Sequence, residues 1–281
     1  MRLQISERGF DSRRCLVVPR IALPCGGGAF RRIVSPLAIL AVWEAGSLTG
    51  LIPARIIAAP TAILATAWQL TVSGQLLPDL LVSLGRVLVG LAIGISAGVA
   101  AALVAGLSRA GEDAIDPPMQ MLRAIPLLGL TPLLILWFGI SEVPKITLVA
   151  LASFFPVYLT LFAGIRAIDP KLIETAHVFG LDRWATIRNV IVPGSFPAAL
   201  VGIRQALGIA WLSLVVAEQI NADRGIGHMI MDARDFLRTD IIVVGLLVYA
   251  FLGLATDAIV RLIERRALVW RPSILKKNAP G

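Results

Sequence analysis

Residues 83–107 read Ser83-Leu-Gly-Arg-Val-Leu-Val-Gly-Leu-Ala-Ile-Gly-Ile-Ser-Ala-Gly-Val-Ala-Ala-Ala-Leu-Val-Ala-Gly-Leu107. A helix that crosses a bilayer takes ~20 consecutive apolar residues over ~30 Å of hydrocarbon. This run is longer than that and holds one charge, Arg86, near its start. Hydrocarbon offers the backbone no hydrogen-bond partner, so such a run must be helical. Gly90, Gly94 and Gly98 recur at intervals of four and share one face of that helix. Small residues at this spacing let a second backbone come close, and the three are read as helix packing. They are not a phosphate loop, since no strand precedes them and no Lys-Ser/Thr follows.

Five further apolar runs lie around this one. They are Ile33–Leu51, Met121–Ile140 (interrupted by Pro126 and Pro132), Ile146–Ile165, Phe196–Gln219 and Ile241–Ile263. The expected fold is all-α: a polytopic membrane protein with six transmembrane helices. Pro60–Leu76, which contains Trp68, reads as a short interfacial helix on the outer side. Composition agrees. The chain of 281 residues is 57% hydrophobic and 16% charged, against ~45–50% and ~25% in soluble domains. The expected organisation is a basic tail over 1–32, a first span with its outer helix over 33–78, a core over 79–265 and a second basic tail over 266–281.

Charge placement orients the spans. Seven arginines precede residue 33, Arg109 and Arg123 follow the second span, and Arg166, Lys171, Arg183 and Arg188 follow the fourth. Six more basic residues, from Arg261 on, stand at the end of the last span or after it, which places nineteen on one side. The other side holds five: Arg55, Lys145, Arg224, Arg234 and Arg238. Basic residues accumulate on the cytoplasmic side, so both termini and the loop 166–195 are expected in the cytoplasm. Basic residues at span edges are not the clustered footprint of a nucleic-acid binder. Cys15 and Cys25 both fall in the first tail, and the only histidines are His177 and His228. That supply is poor for a metal cage, and no catalytic or metal site is expected. The tail shows no signal-peptide pattern, because Pro19, Arg20 and Pro24 break its apolar stretch.

The loop 166–195 carries the most information. Asp169 is a good helix N-cap, Pro170 a good first helical residue and Gly180 a good residue just past the end. Asp182 is placed to cap a second short helix, which Pro193 and Pro197 are expected to stop before the fifth span. The prediction is a knob of helix, glycine bend and helix. Its apolar face stays wet unless a partner covers it.

Glu174-Thr175-Ala176, three residues, Gly180, nine residues, Val190-x-Val192-Pro193 resembles the EAA motif of ABC importer permeases. That motif reads Glu-Ala-Ala, three residues, Gly, nine residues, Ile-x-Leu-Pro. The spacing matches throughout, with Thr175, Val190 and Val192 as small departures. Ile135–Ile140, Ala217–Ile220, Gly225-Ile226-Gly227 and Ala233–Asp240 are similar to the sulfonate/nitrate/taurine branch, and most similar to aliphatic sulfonate permeases. The resemblance runs from about Leu51 to Pro272 and implies a type I ABC importer permease fold. It also implies two permease copies, an ATPase subunit pair that each receive one knob, and an external substrate-binding protein. Glu174, Thr175, Ala176, Gly180 and Pro193 would belong to the ATPase-coupling loop. Nucleotide-binding motifs are missing here, so ATP would be bound by the partner and no cofactor by this chain.

Charged groups inside spans mark function by default. Arg86, Arg204 and Glu218 are the candidates for a substrate pathway. Glu218 is favoured because Gln219, Asn221 and the Gly225–Gly227 turn follow it. Arg86 could instead snorkel toward the outer interface. Asp257 and Arg261 are spaced as a helical ion pair, and Glu44 reads as a packing or interfacial group. Taurine, nitrate and nucleobase-like precursors are alternative substrates. A secondary transporter would call for inverted repeats and a charged relay, and neither is seen. A membrane enzyme would need a catalytic constellation, yet the two histidines fall on opposite sides.

Overall fold

The computed structural model describes residues 28–53 and 56–267, and among them every regular element is helical. Most of both basic tails, with Cys15 and Cys25, and Arg55 lie outside the described residues. The helices are α1 (Gly28–Leu48), α2 (Pro60–Val72), α3 (Leu76–Leu107), α4 (Arg109–Leu122), α5 (Thr131–Phe138) and α6 (Glu142–Arg166). They continue with α7 (Pro170–Val178), α8 (Arg183–Thr186), α9 (Val192–Asn221), α10 (Ile226–Asp235) and α11 (Thr239–Ala267).

α3, α6, the stretch Arg183–Ile220 and α11 are long and apolar enough to cross a membrane. α2 matches the short helix expected after the first span, and α1 overlaps the expected span 33–51. Of α1, Val34–Leu48 is described as a shorter apolar helix. The third expected span, Met121–Ile140, is not one helix. α4 ends at Leu122, a 3-10 turn covers Leu127–Leu130, and α5 follows, with a bend of 84° between the two parts. Pro126 lacks a backbone N–H and steers Ile125 out of the helical region, which breaks the run there. Most of α4 falls between the second and third expected spans and has no counterpart among the sequence expectations. Its start is set by Ser108, whose hydroxyl accepts from the Gly111 amide at 3.0 Å.

α6 is the centre of the bundle. Its apolar window is 56% buried, against 17% for α11. Leu148, Val149, Val157 and Tyr158 on α6 are closed to solvent. Tyr158 stacks between Phe154 and Phe162 at centroid distances of 6.0 and 5.7 Å. Its hydroxyl donates to Asp116 at 2.9 Å, and Arg166 pairs with Glu112 at 2.7 Å, so α4 is tied to α6 twice.

The glycine face of α3 meets α6 backbone to backbone. A Cβ on Gly94 would overlap Ser153 Oγ and the Ala150 carbonyl, and one on Gly90 would lie 2.6 Å from Val149 Cγ1. A Cβ on Gly98 would lie 2.9 Å from the Phe154 carbonyl. Gly94→Val is therefore expected to push α3 off α6. The cost is about 1–3 kcal/mol by the usual scale of overpacking, read as a lower melting temperature in detergent. An unchanged melting temperature would show that the two helices separate freely.

The stretch from Arg183 to Ile220 is continuous over 38 residues. The stop expected at Pro193 and Pro197 does not occur. A π-helical segment, Ile187–Ile191, leads into Pro193 in the first turn of α9. The hydrogen-bond register is already shifted there, with the Val192 amide donating to the Ile187 carbonyl, so the helix runs on past a residue that has no N–H. Ser195 Oγ donates to the Ile191 carbonyl at 2.8 Å, so that acceptor is satisfied beside the prolines.

Large apolar side chains stand exposed along α3 (Leu88, Ile93, Val104) and α11 (Leu247, Phe251, Leu254). Such continuous apolar surface does not persist against water.

Candidate functional site

At one end of the bundle the loop 166–195 folds as local chemistry requires. Asp169 accepts from the Lys171 amide at 2.9 Å and starts α7. α7 ends in a Schellman turn. The Leu181 amide donates to the Ala176 carbonyl at 3.0 Å, and the Gly180 amide to the His177 carbonyl at 2.9 Å. Gly180 has φ +77°, a left-handed backbone that glycine adopts without strain. Asp182 then accepts from the Ala185 amide at 2.9 Å and starts α8.

This knob is anchored on its inner side by buried Ala176 and Thr186. Its outer side presents Leu172, Val178, Phe179 and Trp184, with Val178 86% and Phe179 78% exposed. Glu174 is exposed and forms no ion pair or side-chain hydrogen bond with a described residue. Thr175 Oγ1 donates to the Lys171 carbonyl at 2.7 Å, so the hydroxyl that replaces the motif's alanine is satisfied within α7.

At the opposite end, four charges from three helices meet. Arg86 on α3 forks onto Glu142 of α6, through Nε at 2.5 Å and Nη2 at 2.7 Å. Its Nη1 reaches Glu218 of α9 at 2.7 Å and the Arg224 carbonyl at 2.6 Å. Lys145 closes on Glu142 at 2.9 Å. Two cations meet two carboxylates, so the cluster is neutral. The side chains of Arg86 and Glu218 are 5% and 0% exposed. Arg86 is thus turned inward and does not snorkel.

Glu218 is fully partnered. Besides Arg86, it accepts from Ser83 Oγ at 2.8 Å, Tyr249 Oη of α11 at 2.9 Å and the Gly227 amide at 2.9 Å. The turn before α10 is built around it. The Gly225 amide donates to Asp79 at 3.1 Å and the Ile226 amide to Ser83 Oγ at 3.0 Å. Gly225 has φ +118°, and a Cβ there would lie 2.6 Å from Glu218 Oε1 and 2.7 Å from Arg86 Nη1. The glycines of Gly225-Ile226-Gly227 let the backbone reach a buried carboxylate. Sequence reasoning found Arg86 and Glu218 separately and missed their pairing, along with Ser83, Glu142, Lys145 and Tyr249. Lys145 was counted as a loop charge yet is 3% exposed. The one available signal was the near-equal number of acids and bases at the matching ends of the second, fourth and fifth spans.

Arg204 lies apart from this cluster. Its Nε pairs with Asp257 at 2.8 Å, and Asp257 also takes Arg261 at 2.9 Å. Arg204 is 45% exposed, so of the three pathway candidates it alone reaches the surface of the chain. Glu44 accepts from the Thr61 amide at 3.1 Å and hydroxyl at 2.7 Å, and so caps α2 from α1. Among the described residues no group of three His, Cys, Asp or Glu side chains could hold a metal ion.

The knob motif and the helices around it match a known pattern. The family described as the binding-protein-dependent transport system inner membrane component matches residues 90–269. The chain belongs to that family. It is a multi-pass permease component of an ABC importer, a system that also comprises an ATPase and a substrate-binding protein. The permease is 47% identical over 244 residues to a chain of Escherichia coli (strain K12) that carries the name aliphatic sulfonates transport permease protein SsuC. That match covers 87% of this chain and 93% of the relative. A Bacillus subtilis (strain 168) chain of the same name is 43% identical, over 88% and 89% of the two chains. The taurine transport system permease protein TauC of Escherichia coli (strain K12) is 34% identical, over 75% and 73%. These relatives are transport permeases, not enzymes. Among solved structures, an amino acid ABC transporter with histidines superposes with a TM-score of 0.58 at 21% identity, covering 70% of this chain and 96% of that one. That likeness is one of fold.

Proposed function

We propose that this permease moves aliphatic sulfonates into the cell, driven by ATP hydrolysis in a partner. The observation that carries the reading is the 47% identity to a relative named for aliphatic sulfonate transport, over 93% of that relative's length. Both termini and the loop 166–195 face the cytoplasm, as the nineteen basic residues on that side support. Two copies of the chain form the pathway, with lipid against their outer apolar faces. Each knob enters a groove on one of two ATPase subunits. Val178 and Phe179 supply its apolar contact, Glu174 its charge, and Gly180 the bend that sets its angle. Thr175, Ala176 and Pro193 shape and seat the knob. Arg86 and Glu218 position the helices at the outer end, whereas Arg204 faces the pathway.

The test is uptake by proteoliposomes that hold the permease, its ATPase and its binding protein. Labelled alkanesulfonate is expected to accumulate in an ATP-dependent way, ahead of taurine and nitrate. Preferred uptake of taurine or nitrate would overturn the substrate. Uptake that needs no ATPase would overturn the mechanism.

A further inference from the structure

A cavity of about 560 Å³ lies between the knob and the nearby ends of α3 and α6. Small-molecule sites commonly span ~300–1,000 Å³. Leu107, Ile165, Ile187 and Ile191 line it with hydrocarbon, and Arg166, Arg183 and His177 line it with basic groups. No Asp or Glu is among its lining residues. Arg166 is held by Glu112 at 2.7 Å. Arg183 and His177 form no ion pair with a described residue.

Two demands meet in this space. Apolar walls beside water favour an aliphatic occupant. Basic groups between helix ends at the cytoplasmic face favour an acidic head. We propose that the cavity binds an amphipathic anion, with its head on Arg183 and His177 and its chain along Ile165, Ile187 and Ile191. Two sources share this chemistry: an anionic phospholipid of the cytoplasmic leaflet and a free alkyl anion such as an alkanesulfonate. His177 belongs to α7, Arg183 to α8, and Leu107 and Ile165 to the bundle. An occupant therefore ties the knob to the membrane helices. The proposal rests on the cytoplasmic placement of the loop.

The test uses the whole permease–ATPase complex in phosphatidylcholine nanodiscs, with Ile187→Cys in a Cys15→Ser, Cys25→Ser background. Labelling of Ile187→Cys from the cytoplasmic side of inside-out vesicles checks the orientation separately. Maleimide labelling in nanodiscs is then measured with phosphatidylglycerol in the bilayer, or with decanesulfonate in solution. Slower labelling with the lipid identifies a lipid site, and slower labelling with the sulfonate identifies a free-anion site. Arg183→Gln is expected to weaken the protecting ligand about fivefold, the effect of one basic group near an anionic headgroup. Labelling that neither ligand slows overturns the proposal. Should Ile187→Cys fail to fold, native mass spectrometry counts the anionic lipid or sulfonate bound to the cysteine-intact complex with and without Arg183→Gln. Equal adducts overturn the proposal as well.

Discussion

Glu218→Ala is expected to destabilise the purified permease by about 3–5 kcal/mol, the usual result of breaking a buried ion pair from one side. The carboxylate accepts from Ser83, Arg86, Gly227 and Tyr249. Alanine leaves those donors facing a void with no water to satisfy them. Arg86 keeps its fork on Glu142, which limits the loss to one of its two carboxylates. Glu218→Gln is expected to fall between the two. Its amide retains one acceptor oxygen, but its NH₂ group would face a hydroxyl or an amide that also donates. A double-mutant cycle with Arg86→Met is expected to show coupling, with the second substitution costing less in the Glu218→Ala background. Thermal unfolding in detergent measures each variant. A loss below about 1 kcal/mol for Glu218→Ala would mean that water reaches this site, since an exposed pair is worth no more than that.

The second large effect leaves the fold alone. Gly180→Trp is expected to reduce ATP-driven uptake at least tenfold while the melting temperature falls by only a few degrees. Nothing lies within 4 Å of a Cβ placed on Gly180, so the side chain meets no part of its own chain. The left-handed backbone costs about 1–2 kcal/mol for a residue with a Cβ, confined to an exposed turn. The bulk instead projects from the knob toward whatever docks there. Gly180→Asn is the control, because asparagine tolerates that backbone and adds little volume. Glu174→Lys is expected to act in the same direction, since no described partner within the chain holds that charge. Normal uptake by Gly180→Trp would remove the knob from the coupling path.

What could be read from the sequence was local. Asp169, Gly180 and Asp182 act within a turn of their own positions, and each forms the cap its residue type suggests. Apolar runs located the long helices because hydrocarbon permits little else. What could not be read was distant or conditional. Arg86 and Glu218 stand 132 positions apart, and no periodicity links them. Lys145 sits in an apolar context that looks like a loop boundary, and only the Glu142 three residues before it hints at a pair. The prolines show how context decides. Pro126 breaks a helix, whereas Pro193 follows a π-turn and does not. The same missing N–H has opposite outcomes, set by where in the turn it falls.

The unbroken run from Arg183 to Ile220 has a mechanical meaning. At 1.5 Å per residue its 38 residues form a rod about 57 Å long, nearly twice the ~30 Å hydrocarbon layer. One end carries part of the knob, and the other carries Glu218. No hinge loop separates the two. Between Trp184 and the buried carboxylate there is one unbroken helix and no loop. The π-turn at Ile187–Ile191 is the only departure from regular α-helix along that shaft, and it lies nearer the knob. The rod is regular over its membrane length and irregular only at its knob end.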